Sequence, residues 1–319
     1  MEGTRHLLPY VASAIAILSA SFVYYRFLQS KGTKTSYRVK DLFIYPIKSC
    51  GGIRVEKHQV GPYGLLNDRR WMVVSNENNF ITLRYNHQPF DPNLILRQCP
   101  NMALIAPSLT PTHLHLESPG ERSEGPLKTV TIWGGENDAV DEGEAAAEWF
   151  TKVLGRSARL VRQRDDHDRV TPSHHVDGLS NLVSFADGFP LLLTSTSGLA
   201  LLNEKITGKG GVSLPMSRFR PNIVIDGVGV GFVEDVWSRI TIGGVRFSVV
   251  KPCARCKATT VDSLTGKFDG PEPLETLKTF RTMKGLEGVY FGQNLTQENE
   301  GTVSVGDAVY VLKHTVPTK

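Results

Sequence analysis

Short apolar runs separated by turn residues recur along most of this chain, and they limit the possible folds more than any other feature of the sequence. Residues 80–83 and 102–106 are two such runs, divided by clusters of Asn, Pro and Asp. Residues 237–242 and 245–250 flank the pair Gly243-Gly244, which can supply the positive φ angles of a tight hairpin turn. Strands this short, at such intervals, are typical of a β-barrel or sandwich and not of a parallel α/β core.

Two helices are expected beside these strands. The pattern over residues 141–155 predicts an amphipathic helix, with Asp141 as its N-cap and Gly155 at its end. A further helix should follow the apolar residues 191–193, with Ser195 or Thr196 as its N-cap. The predicted fold class is therefore α+β and β-rich.

The chain has 319 residues, which is enough for two domains. The polar residues 166–181 predict a connecting loop between an N-terminal β domain, residues 35–165, and a second domain, residues 182–315. We interpret one histidine pair, His113 and His115, as residues of a surface strand and not as a metal site, because no third ligand is in sight. The second pair, His174 and His175, stands with His167 among the Asp and Arg residues of the connecting loop, where a His-rich metal site is the alternative.

The N-terminus has the pattern of a membrane anchor. Residues 7–25 contain no charged side chain, and at about 1.5 Å per residue a helix of that length crosses most of a bilayer core of about 30 Å. Basic residues are more numerous after this run than before it, which places the rest of the chain on the cytoplasmic side. Residues 1–34 are thus predicted to be a transmembrane signal anchor. A cleaved secretory signal and a buried core helix are the alternatives.

Four cysteines are too few for a disulfide framework in a chain of this length, so we expect a reducing compartment. Cys253 and Cys256 stand among three cationic residues after the predicted hairpin, and a neighbouring cation favours the thiolate form. Three interpretations of this pair stay open on the residues alone. They are a structural zinc site, which lacks a second ligand pair; a thioredoxin-like dithiol, which lacks the following helix; and one thiolate ligand to a soft metal in an organic cofactor.

Polar and basic residues also occur at the ends of predicted strands. Lys48 and Ser49 lie in a predicted turn of the kind that can expose backbone N–H groups, a combination that suits a phosphate or another anion. Arg69 and Arg70 precede an apolar strand, and an arginine fork is a common partner of phosphate. An ordinary surface turn and solvated charges are the alternatives. The net charge of +4 gives little support to nucleic-acid binding.

Several motifs, taken in order, make the chain resemble the MOSC-domain family, and within it the amidoxime-reducing members. The motifs are Tyr45-Pro46-Ile47-Lys48-Ser49, Asp68-Arg69-Arg70-Trp71, Phe185-Ala186-Asp187-Gly188-Phe189-Pro190, Phe219-Arg220-Pro221-Asn222, Cys253-Ala254-Arg255-Cys256, Thr260-Val261-Asp262 and Phe291-Gly292-Gln293-Asn294. The resemblance implies an N-terminal MOSC-associated β-barrel domain, a MOSC-type β-barrel domain and a bound molybdenum cofactor (Mo-molybdopterin).

The resemblance also implies site residues. Cys256 is the implied catalytic residue and molybdenum ligand, whereas Cys253 is not required for ligation. The implied cofactor-binding residues are Lys48, Ser49, Arg69, Asp187, Arg220, Asn222, Ala254, Arg255 and Asn294. A soft thiolate suits a soft metal, cations suit a dianionic phosphate, and amide groups suit the edge of a pterin.

The implied reaction is the reduction of small N-hydroxylated compounds, such as amidoximes, hydroxamic acids and hydroxylamines, to the parent amidine or amine. In the family the electrons come from NADH through NADH-cytochrome b5 reductase and cytochrome b5. The sequence has no nicotinamide-binding fingerprint, haem-attachment motif or iron–sulfur cysteine set, so we expect an external electron donor.

The expected location is the mitochondrial outer membrane, with the catalytic part facing the cytosol; the endoplasmic reticulum and the peroxisomal membrane are alternatives. Two other functions compete with the reductase. One is a MOSC sulfur carrier that handles a cysteine persulfide in molybdenum cofactor maturation. The other is a membrane-anchored binding module without catalysis.

Overall fold

The computed structural model describes residues 37–81, 125–164, 169–171, 182–227, 229–262 and 267–315, and the backbone of three short strands between residues 95 and 113. Within these residues, no helix is both long and apolar enough to cross a membrane. The predicted anchor over residues 1–34 and the side chains of both histidine pairs lie outside them.

Strands make up most of the described chain. In its first part they are β1 (Tyr37–Ile44), β2 (Ile53–Val55), β3 (Lys57–Gly61), β4 (Gly64–Leu65), β5 (Trp71–Val74), β6 (Ile95–Arg97), β7 (Ala103–Ile105), β8 (Thr112–His113), β9 (Leu127–Ile132), β10 (Gly135–Asp141) and β11 (Arg159–Gln163). In its second part they are β12 (Leu191–Ser195), β13 (Ile223–Asp226), β14 (Trp237–Ile242), β15 (Val245–Ala254), β16 (Tyr290–Gln297), β17 (Gly301–Ser304) and β18 (Ala308–His314). The α-helices among these residues are α1 (Glu144–Leu154), α2 (Thr196–Gly208) and α3 (Leu274–Lys278).

Seven of the strands form a closed barrel. Their order is β13, β12, β16, β15, β14, β18 and β1, and the barrel closes because β1 pairs with both β18 and β13. The buried residues of β1 change from odd to even positions, Tyr37 and Val39 and then Leu42 and Ile44, across an irregularity between Val39 and Asp41. The bulge therefore keeps apolar side chains inside the barrel along the whole strand, and the predicted β-rich barrel is confirmed.

Two local predictions in the barrel are also confirmed. Gly243 and Gly244 join β14 to β15 with φ angles of 57° and 83°, and Ile242 pairs with Val245. The Ser195 hydroxyl accepts a hydrogen bond of 3.1 Å from the Gly198 N–H at the start of α2. This helix connects β12 to β13, which are parallel neighbours.

A second sheet has the order β5, β11, β10 and β9, and α1 packs on it through Trp149 and Phe150. The prediction of Asp141 as the N-cap of this helix is wrong, because the N-cap is Gly143, at a φ of 86°. Asp141 instead pairs with Val161 as the last residue of β10. The predicted end at Gly155 is confirmed by its left-handed conformation, with a φ of 63°.

The two parts of the chain share strands. β1, from the first part, closes the barrel built by the later strands and also pairs with β2, and β3 pairs with β17. The boundaries at residues 165 and 182 stay a prediction. The barrel and the second sheet approach each other near Ile47, which follows β1 and forms a bridge with Trp71, the first residue of β5.

Candidate functional site

An open cavity of about 180 Å³ lies among the loops that join the barrel to the second sheet. All the site residues predicted from the sequence line it: Lys48, Ser49, Arg69, Asp187, Arg220, Asn222, Ala254, Arg255, Cys256 and Asn294. They come from separate stretches that follow β1, end or follow β15, precede β5, β12 and β13, or lie within β16. One ligand in this cavity could therefore contact residues that are far apart in the sequence.

Lys48 is a buried cation, with only 5% of its surface exposed. Its Nζ donates a hydrogen bond of 2.7 Å to the Phe185 carbonyl and forms an ion pair with the Asp187 carboxylate. Burial lowers the pKa of Lys48 to about 8, and Asp187 opposes that shift. The group is thus a cation at neutral pH that loses its charge more readily than an exposed lysine.

Aromatic side chains surround this ion pair. The Lys48 Nζ lies 4.9 Å from the ring centre of Phe80 and 5.8 Å from that of Trp133. Trp133, at the tip of the β9–β10 hairpin, also donates a hydrogen bond of 3.0 Å from its Nε1 to Asp187. Arg169 fixes the backbone of the loop that carries Asp187, because its guanidinium donates to the carbonyls of Ser184, Ala186 and Asp187.

Sequence reasoning missed Phe80, Trp133 and Arg169. Trp133 has a φ of 51° and precedes Gly134 in a two-residue turn where Asn is the usual first residue. An aromatic residue at such a position is a signal that could have been noticed. Arg169 gives no comparable local signal, since its partners lie in a different part of the chain.

Arg69 and Arg220 place two more cations on the cavity wall. Arg69 pairs with Asp68 at 2.5 Å and donates to the Asn222 side-chain oxygen at 2.9 Å. Arg220 donates to the Cys50 carbonyl at 2.6 Å. Both arginines adopt left-handed backbone conformations, with φ angles of 50° and 55°, which non-glycine residues hold only where the surroundings enforce them.

Asn222 is completely buried, and its hydrogen bonds go to protein groups. Its Oδ1 accepts from Arg69 and, at 3.1 Å, from the Leu192 N–H, while its Nδ2 donates to the Phe43 carbonyl at 3.2 Å. These bonds suit it to orient Arg69 and to join β1 to the start of β12. The cofactor-binding role that the sequence implies for Asn222 stays a prediction.

Both thiols of the CxxC motif line the cavity and are partly exposed. Cys253 accepts a hydrogen bond of 2.9 Å at its sulfur from Arg255, which also donates to the Phe219 carbonyl at 2.8 Å. The Cys256 carbonyl accepts from the Thr259 N–H at 3.0 Å and from its hydroxyl at 2.9 Å, which fixes the backbone that carries the second thiol. Cys50, Cys253 and Cys256 are all free thiols.

Arg218 is a further cavity residue that the sequence did not reveal, although it is only two positions before Arg220. It is 3% exposed, and one of its nitrogens binds Asp269 at 2.6 Å and Asp262 at 3.3 Å. Its Nε and Nη1, and the Nε of Arg255, are buried without an acceptor among the described residues. Buried donors without partners are rare, because each loses its bonds to water.

The donor set fits the molybdenum cofactor. Unpaired guanidinium nitrogens match a ligand rich in hydrogen-bond acceptors, as a pterin phosphate is. Buried cations match its dianionic phosphate, and the free thiol of Cys256 matches a soft metal.

Comparison with known proteins gives a consistent result. The family model described as the MOSC N-terminal beta barrel domain matches residues 36–157, and that of the MOSC domain matches residues 181–310. Mitochondrial amidoxime-reducing component 1 of Homo sapiens is 34% identical over 310 residues, covering 90% of this chain and 85% of that protein. The protein of the same name in Mus musculus is 36% identical over 305 residues, covering 90% and 84%. A molybdenum cofactor sulfurase of Danio rerio is 31% identical over 292 residues, covering 86% of this chain but 34% of the sulfurase.

Proposed function

The chain belongs to the MOSC-domain family, together with the mitochondrial amidoxime-reducing components, and from this premise we propose that it is a molybdenum-cofactor oxidoreductase. Its substrates are small N-hydroxylated compounds, which it reduces to the parent amidine or amine. The observation that carries the proposal is the convergence of a free thiol, Cys256, and the cations Lys48, Arg69 and Arg220 on one cavity.

Each part of the cofactor has a partner in this cavity. Cys256 would supply the thiolate ligand to molybdenum, and Lys48, Arg69 and Arg220 would hold the phosphate. Arg218 and Arg255 have buried donors left over for the acceptors of the pterin. When bound, the cofactor supplies the two-electron chemistry by which the oxygen of the N–O group is removed.

Residues of the chain itself set the charge in the cavity and the position of the Cys256 thiol. Lys48 carries its proton at neutral pH, because burial lowers its pKa only to about 8. Asp187 and Asp68 offset part of the positive charge of Lys48 and Arg69, which reduces the repulsion between these cations. Thr259 fixes the Cys256 backbone, which limits the positions that the thiol can occupy.

The proposal includes an electron chain and a location. NADH-cytochrome b5 reductase and cytochrome b5 deliver the electrons, in agreement with a sequence that lacks a nicotinamide fingerprint. The relatives are named as mitochondrial, and we place the protein in the mitochondrial outer membrane, anchored through residues 1–34 with the cavity facing the cytosol.

A second candidate is a sulfur carrier in molybdenum cofactor maturation. The guanidinium of Arg255 at 2.9 Å from the Cys253 sulfur favours it, since such a contact would stabilise a persulfide anion. The partial match to a molybdenum cofactor sulfurase points the same way.

One experiment separates these candidates. The full chain is purified as the wild type, Cys256→Ser and the matched variant Cys253→Ser, and each is assayed for molybdenum and for benzamidoxime reduction by NADH, the reductase and cytochrome b5. We expect near-stoichiometric molybdenum in the wild type, loss of activity in Cys256→Ser, and retained molybdenum in Cys253→Ser. A molybdenum-free wild type, or activity indifferent to Cys256, would overturn the reductase. A persulfide on Cys253 without turnover would favour the carrier.

A further inference from the structure

Two guanidinium groups of the cavity wall lie against one phenol ring. The Cζ atom of Arg69 is 4.5 Å from the ring centre of Tyr45, and that of Arg220 is 4.3 Å away. Both arginines line the cavity, whereas Tyr45, which is 4% exposed, lies behind them. The ring is therefore the shared support of two cations that face a ligand.

Two like charges on one support repel each other, and the ring reduces that cost. The electron-rich face of an aromatic ring attracts a cation, most strongly where water is excluded. Asp68 forms an ion pair with Arg69 at 2.5 Å, whereas the guanidinium of Arg220 donates to the uncharged Cys50 carbonyl. Arg69 also donates a hydrogen bond of 3.3 Å to the Arg220 carbonyl, and the ring of Tyr45 is the aromatic face that both guanidinium groups contact.

The ring itself is held from several sides. Its hydroxyl donates a hydrogen bond of 3.1 Å to the carbonyl of Pro221, the residue after Arg220, and its own carbonyl accepts one of 2.8 Å from the Arg69 N–H. A Cβ at Gly52 would lie 2.4 Å from the ring, so only glycine fits there. Burial raises the pKa of Tyr45 to about 12 although both arginines lower it, so the phenol remains a donor at neutral pH.

From this geometry we infer that Tyr45 is a positioning residue, which sets Arg69 and Arg220 in place for a phosphate dianion before the ligand binds. The inference rests on the proposed function, in which that dianion is the phosphate of the cofactor. Pre-set cations strengthen binding because less side-chain freedom is lost when the ligand arrives. Tyr45 contributes through the electron density of its ring and through its shape.

The test changes the electron density and leaves the shape nearly constant. The full chain is prepared without cofactor, with Tyr45 replaced by Phe and by phenylalanines that carry one, two or three fluorine atoms, which withdraw electrons from the ring. The dissociation constant of inorganic phosphate is measured by calorimetry. The same fluorinated residues at Phe150, a buried ring of α1, form the matched control.

We expect phosphate affinity to fall stepwise with fluorination at position 45, to a total of about tenfold for two weakened cation–π contacts. The Phe150 series should leave it unchanged. Equal phosphate affinity across the series at position 45, with normal phosphate binding by the wild type, would overturn this inference alone. The ring would then only fill space behind the two arginines. Failure of the wild type to bind phosphate would overturn both this inference and the proposed cofactor site.

Discussion

Lys48 should make anion binding in the cavity depend on pH in a range where an exposed lysine does not titrate. Burial lowers its pKa from 10.5 to about 8, against the opposing effect of Asp187. An anion bound beside the Nζ favours the protonated form, so above pH 8 a proton must be taken up with the anion. The affinity of the wild type should then fall up to about tenfold per pH unit, or about 1.4 kcal/mol, and should be level below pH 8.

Sulfate is the appropriate probe, because it is a dianion over the whole range, and its dissociation constant can be measured by calorimetry from pH 6.5 to 9.5. Lys48→Arg should give a level profile, since an arginine keeps its proton throughout. Lys40→Arg, at an exposed position, should give the same slope as the wild type. Parallel profiles for the wild type and Lys48→Arg would refute the assignment of this pH dependence to Lys48.

Three further predictions concern stability, measured by denaturant unfolding. Burial raises the pKa of Glu234 from 4.5 to about 7, so the folded state keeps a proton that the unfolded chain releases above pH 4.5. The free energy of unfolding of the wild type should therefore fall by up to about 3 kcal/mol between pH 5 and 7.5, and that of Glu234→Gln should not. Equal pH slopes for the two proteins would contradict the prediction. Gly292→Ala should lower the free energy of unfolding by about 2 kcal/mol or more, because φ is 78° and the new Cβ would lie 2.6 Å from the Leu193 carbonyl. The control Gly134→Ala, at a φ of 82° but with open space around the new Cβ, should lower it by about 1 kcal/mol. Equal losses in the two variants would show that the close contact at position 292 is relieved. Asn222→Ala leaves two buried backbone groups without partners and should cost about 2 kcal/mol or more, and an unchanged midpoint would mean that these groups find new ones.

Local sequence patterns were sufficient to predict a turn or a helix end where residues close in the sequence decide the backbone conformation. The glycine pair at 243 and 244, the cap at Ser195 and the helix end at Gly155 all depend on φ angles and hydrogen bonds within a few residues. The N-cap at Asp141 failed for the opposite reason, since pairing with Val161 on another strand keeps Asp141 in β10. A cap motif in the sequence does not show whether pairing with a distant strand competes with helix capping.

By itself, the sequence determined which polar groups and thiols the chain has available and, through the order of its motifs, predicted many of those that line the cavity, although not Arg218. Only the tertiary structure decided which of those groups remain available to a ligand. Asn222 uses its amide on Arg69 and two backbone groups, and Lys48 is paired with Asp187. Arg218 keeps buried donors that have no acceptor in the part of the chain that the structure describes. The physical reason is that the spare hydrogen-bonding capacity of a side chain depends on burial and on partners brought from distant stretches, and neither is encoded in its near neighbours.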